Sequence, residues 1–153
     1  MTNDGGDLIE AGLAYWNSRR GERAMPTRAD LDPADIRRLL PHVVLIDVLR
    51  EPLDFRFRLL GTEVDRIVAG NLLGRRFSEI PHMRQGSTLW AQHAAVVAGR
   101  QPSVCTIDYV GPDRHVGRQI RQLHAPLTDG QGSEVVMIFT ILQIERLSGG
   151  SER

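Results

Sequence analysis

From Asp54 to Leu60 the chain alternates Phe55, Phe57 and Leu59 with Arg56 and Arg58, the period-2 pattern of a strand with one buried face. Gly61 closes that strand, and Thr62 offers a hydroxyl to the free amides of a new helix, with Asp65 three residues on in a capping-box-like spacing. Val64, Ile67 and Val68 share one face of this short helix, and Gly70 is its natural stop. Asn71 to Gly74 then predicts a turn, and Arg75 to Ile80 one more helical turn closed by Pro81. So many breaks in a short stretch do not suit a helical bundle. They predict a sheet that wraps small helices around a pocket.

The flanking pattern extends this architecture in both directions. Asp7 is placed to cap a helix running to Arg20, with Leu8, Ala11, Gly12, Tyr15 and Trp16 on an apolar stripe and Gly21 as its end. Asp32-Pro33 starts a short helix over Ala34 to Leu40, with Ile36, Leu39 and Leu40 inward and Pro41 as its stop. Val43 to Leu49 is an almost unbroken aliphatic run, as in a strand covered on both faces. Its one polar residue, Asp47, is expected at an edge or in an ion pair with Arg58 across the hairpin formed by Glu51 to Asp54. Between Met83 and Gly99, Leu89, Trp90, His93, Ala94 and Val97 mark one face of a long helix that Gly99 caps. Three strands follow: Ser103 to Val110, Val116 to Ala125 after a turn at Gly111-Pro112-Asp113, and Glu134 to Arg146 after the connection Thr128 to Gly132. The last strand is apolar on both faces, so the first helix or a second subunit must cover one of them.

The run RFRLLGTEVDRIVAGNLLGRRFSEI resembles the early core of a PAS domain. Tyr15-Trp16, PTRADLDPADIRRLLPHVVLIDVL, FRFRLLGT and APLTDG are similar to an alphaproteobacterial-type group of small, often single-domain PAS proteins, over about Leu8 to Arg146. The resemblance implies an α+β fold, a five-stranded antiparallel sheet with short helices on one face and an extra N-terminal helix. The chain is expected to divide into a start at 1–6, polar and Gly-rich and so disordered, one domain at 7–146 (helical extension 7–40, PAS core 43–146) and a disordered tail at 147–153. The resemblance also implies a non-catalytic sensory module that binds a small molecule or a protein partner between the long helix and the sheet, and signals through protein contacts as a homodimer. The implied pocket residues are Phe57, Leu59, Ile67, Leu72, Phe77, Trp90, His93, Cys105, Arg121 and Leu123, with His93 and Arg121 as orienting groups. Leu8, Ala11, Tyr15 and Trp16 are the expected interface. A flavin photosensor of this fold carries a reactive cysteine in an Asn-Cys-Arg-Phe-like sequence, and this chain reads Gly74-Arg75-Arg76-Phe77 there. A haem sensor needs an axial histidine on the long helix, and His93 is placed for it.

Composition narrows the alternatives. With 153 residues, 41% hydrophobic and 25% charged, the chain can build one ordinary core. Its formal net charge of zero gives no general attraction to nucleic acid or anionic lipid. Cys105 is the lone cysteine, so no internal disulfide forms, and a reducing, cytoplasmic setting is expected. The first residues, MTNDGGDLIEAG, lack the features of a secretory signal, and no apolar run approaches a membrane span. The sequence has no Gly-x-Ser-x-Gly elbow, P-loop, dinucleotide fingerprint or His-Glu-x-x-His motif. No two of His42, His82, His93, His115 and His124 have metal-ligand spacing on one element, and no metal site is expected. Cys105 with His93 or His124, and Asp108 with Glu134, are pairs that would matter only if the fold joined them. Two alternatives stand beside the sensor: a dimerising scaffold without a ligand, and a cone-shaped α+β isomerase or dehydratase using Asp47 or His93 as general base.

Overall fold

The computed structural model describes residues 7–67, 71–110, 117–131 and 134–146. Expectations placed on 1–6, 68–70, 111–116, 132–133 and 147–153 lie outside those residues, among them the Gly70 helix stop, the Gly111 turn, His115 and both chain ends. So do the side chains of Ile67 and Asp108.

Helix α1 (Leu8–Arg20) starts where Asp7 accepts hydrogen bonds from the amides of Ile9 and Glu10, and it ends at Gly21 with φ 61°, a conformation in which a side chain is strained. An irregular segment of single 3-10 turns leads to β1 (Val43–Leu49), which forms a hairpin with β2 (Asp54–Leu60). Helix α2 (Thr62–Ile67), further 3-10 turns and helix α3 (Thr88–Gly99) follow, then β3 (Ser103–Val110), β4 (Gly117–Thr128) and β5 (Val135–Arg146). The strands form one antiparallel sheet in the order β2-β1-β5-β4-β3.

The two faces of the sheet are covered by different parts of the chain. α1 packs on the outer face over β4 and β5, while α3 packs against β4 from the inner side. Gly12 lets α1 lie close to the sheet, because a Cβ there would lie 2.9 Å from Ile141 Cγ1 and 3.1 Å from Leu123 Cδ2. Trp16 is buried and donates its indole N–H to the Pro126 carbonyl at 2.8 Å, which satisfies a polar group inside the contact. Tyr15 reaches sideways: its hydroxyl accepts from the Asp32 amide at 2.8 Å and tethers the irregular segment.

Several local details differ from the sequence expectation. Ala34 to Leu40 is not one short α-helix but two 3-10 turns, Pro33–Ile36 and Leu40–His42, and Pro41 stands inside the second rather than ending the first. Proline at an early helical position removes no hydrogen bond there. Arg75 to Ile80 narrows to the 3-10 turn Phe77–Glu79, and Pro81 opens another, Pro81–Met83. Thr62 lies within α2, whose first amide bond runs from Asp65 to the Gly61 carbonyl. Arg100, at φ 56°, caps α3 in place of Gly99, and Val96 rather than Val97 is buried with Trp90 and His93. Strand β4 runs on past Ala125 to Thr128.

Candidate functional site

A cavity of about 390 Å³ lies between the inner sheet face and the small helices. Its floor comes from the inward residues of four strands: Val44 and Ile46 of β1, Phe57 and Leu60 of β2, Ile120 and Gln122 of β4, Thr140 and Leu142 of β5, with Ile107 of β3 at one side. Its roof is Val64 of α2, Leu72, Phe77, His82, Met83, and Leu89 and His93 of α3. The lining is apolar apart from His82, His93, Gln122 and Thr140, and its size falls in the range of small-molecule pockets, roughly 300–1,000 Å³.

The roof is fixed by a buried carboxylate. Asp54 accepts from its neighbour Phe55 N at 2.8 Å, from Ser78 N at 3.2 Å and from Ser78 Oγ at 2.5 Å. The amide of Phe57 donates to the Arg75 carbonyl at 3.0 Å, and that of Gly74 to the Phe57 carbonyl at 2.8 Å. Together these bonds set Phe77 against Phe55, Phe57 and His93, with ring centroids 5.2, 5.1 and 4.9 Å away.

Of the pocket residues expected from sequence, Phe57, Leu72, Phe77 and His93 line this cavity. Leu59 does not, and is 39% exposed. The cause is a bulge: Ile46 pairs with Phe57 but Leu45 pairs with Leu59, so Arg58 is an extra residue and the alternation slips by one. Leu60 takes the inward place. Arg121 and Leu123 lie on the opposite face of β4 under α1, where Arg121 pairs with Asp7 at 3.3 Å and Leu123 is fully buried. The inward residues of β4 are their neighbours Ile120 and Gln122. Trp90 is buried behind the lining, edge-on to Phe55 at 5.1 Å. Cys105 is half-buried and outside the lining, and burial raises its thiol pKa, the reverse of a reactive cysteine. In the expected interface set, Leu8 and Trp16 are buried within the chain, whereas Ala11 and Tyr15 are half-buried.

Sequence reading named His93 but missed the polar groups beside it, Gln122 and Thr140 in the lining and His124 against the His93 ring. Strand alternation from Ile120 would have found Gln122 and His124, but not without the register. His124 pairs across the sheet with Thr140, and its ring centroid is 4.5 Å from that of His93. His93 Nδ1 lies 2.7 Å from the Leu89 carbonyl and so donates to it, which leaves Nε2 as an acceptor. His124 Nε2 likewise donates to Gln122 Oε1 at 2.7 Å and leaves Nδ1 as an acceptor. His93 Nε2, His124 Nδ1 and Thr140 Oγ1 are buried without a hydrogen-bonding partner among the described residues. An unmet buried polar group costs about 1–3 kcal/mol. Burial lowers the pKa of His93 to about 4 and, with the neighbouring His93, that of His124 to about 3, so both imidazoles are neutral at pH 7.

The same geometry bears on the chemistry considered from sequence. Asp47 stands on the outer face, ion-paired with Arg56 at 3.2 Å and Arg58 at 3.3 Å, away from the cavity. Burial holds the pKa of His93 at about 4, below the near-neutral value that suits a general base best at pH 7. No group of three metal-ligating side chains occurs among the described residues. His93 also stands where an axial haem ligand would be sought. A cavity of about 390 Å³ with no arginine among its described lining residues does not suit a tetrapyrrole bearing two carboxylates.

A sheet of order 2-1-5-4-3 with a helix across its inner face and a cavity between them defines a pocketed α+β domain. Residues 9–142 match the PAS domain family, and the chain belongs to that family. Membership suggests a sensory or signalling module, of a kind that is generally non-catalytic. Neither a curated protein nor a solved structure matches the chain. No helix among the described residues is long and apolar enough to cross a membrane.

Proposed function

We propose that residues 7–146 act as one cytoplasmic, non-catalytic sensor that takes a small molecule into the cavity and passes its occupancy to a protein partner. The observation that carries this reading is an apolar cavity of about 390 Å³ with buried polar atoms left unpaired at one wall. An occupant gains apolar contact with the floor and roof and supplies the missing hydrogen bonds.

The route outward runs through β4 and β5. Gln122 and Leu142 face the cavity, while their chain neighbours Arg121, Leu123 and Ile141 carry α1. An occupant that favours one arrangement of these two strands therefore also favours one seating of α1. The partner would be a signalling protein or a second copy of this chain, met by the part of α1 around Ala11 and Tyr15 that intramolecular packing leaves accessible. A lone thiol suits the cytoplasmic setting.

Native mass spectrometry of the full chain tests the reading. The expected result is a fraction of the protein carrying a small-molecule adduct, reduced at least tenfold in Ile120→Phe, which fills the cavity. An adduct equally abundant in that variant, or none after expression in several hosts, contradicts it.

A further inference from the structure

The polar corner of the cavity says what kind of molecule suits it. His93 of α3 and Thr140 of β5 line the cavity, and His124 of β4 packs against His93 outside the lining; each carries a buried polar atom without a partner among the described residues. His93 is 3%, His124 0% and Thr140 2% exposed. The protons of both imidazoles are committed, one to the Leu89 carbonyl and one to the Gln122 side chain, so the free nitrogens can only accept. Thr140 can donate or accept. The corner therefore offers ring nitrogens that only accept and one hydroxyl that can donate.

Resting on the sensor reading above, we propose that the cavity is selective for a neutral, mainly apolar hydroxyl compound, an alcohol or a phenol. Its O–H donates to His93 Nε2, and its oxygen accepts from the Thr140 hydroxyl. The remaining lining is aliphatic and aromatic apart from His82 and Gln122. A carboxylate of the same size is rejected, because its lone pairs would meet the lone pair of His93 with no arginine among the described lining residues to offset the charge. A hydrocarbon of the same size is admitted but leaves the corner unsatisfied.

A matched set of probes tests this on the full chain: 2-naphthol, naphthalene and 2-naphthoate, with dissociation constants from titration calorimetry and imidazole ¹⁵N shifts from NMR. The expected result is that 2-naphthol binds at least tenfold tighter than naphthalene, that 2-naphthoate does not bind, and that the His93 Nε2 resonance moves on adding 2-naphthol. Thr140→Val, nearly the same shape without the hydroxyl, should reduce the preference for 2-naphthol over naphthalene. His93→Phe should abolish the preference. Equal affinity for 2-naphthol and naphthalene overturns the hydroxyl assignment while the cavity reading stands. Binding of 2-naphthoate as tight as that of 2-naphthol overturns it too. If none of the three binds, the sensor reading falls and this assignment with it.

Discussion

His93 and His124 are held uncharged by burial, and this ties the stability of the fold to pH. Their pKa values of about 4 and about 3 lie below the ordinary 6.5, so as pH falls the unfolded chain takes up protons first. Their contribution is complete above pH 6.5 and is lost as pH drops through the folded values, on the order of 3 kcal/mol for His93 by pH 4. Urea denaturation at pH 7 and pH 4.5 should show this loss, and a His93→Phe variant should show a shallower one. An unchanged slope in that variant would place the acid sensitivity elsewhere. Gly61 is constrained more simply: a Cβ there would land on the carbonyl oxygens of Leu40 and Pro41, while its own amide donates to the Val43 carbonyl at 2.7 Å. Backbone cannot move aside as a flexible side chain can. Gly61→Ala should lower the unfolding free energy by about 2 kcal/mol or more, whereas Gly99→Ala, with open space around it, should not.

Among the elements, α1 shows how much of the fold could be read from residue order and what could not. Its start and stop follow from Asp7 and Gly21, local groups that act on neighbouring amides. The aliphatic run of β1 was equally plain. Leu59 and Arg121 were not, because the face that a strand residue presents depends on pairing with a distant partner. The extra residue in β2 shows only against β1, and Arg121 finds its charge partner 114 positions away in Asp7. Pro41 and Pro81 were read as stops, yet each stands within a 3-10 turn that needs no proton from it, as Pro33, read as a start, does at the head of its own. The docking of α1 should depend on Trp16 far more than on its charges. Trp16→Phe leaves the Pro126 carbonyl without its donor in a buried contact and should cost about 1–3 kcal/mol. Arg121→Gln removes an ion pair whose side chains are about a third exposed and should cost less than about 1 kcal/mol. Parallel thermal and urea melts would check the ranking, and a larger effect of Arg121→Gln would contradict this account of the helix contact.

For the whole molecule, a sheet with two covered faces joins cavity and helix: β4 and β5 give one face to the pocket and the other to α1. The class of fold and the long-helix wall were legible in the broken pattern after Asp54. The corner formed by His93, His124 and Thr140 was not, since its members are spread over 48 positions and meet only through sheet register. Methyl NMR of the full chain titrated with naphthalene tests the central claim, that the hollow on the inner sheet face receives a small apolar molecule, most directly. The account predicts saturable shifts concentrated on Val44, Ile46, Ile120 and Leu142, with smaller ones at Leu123 and Ile141 beneath α1. Shifts confined to the exposed Leu59, Leu73 and Val104, or no saturable shifts at all, would contradict it.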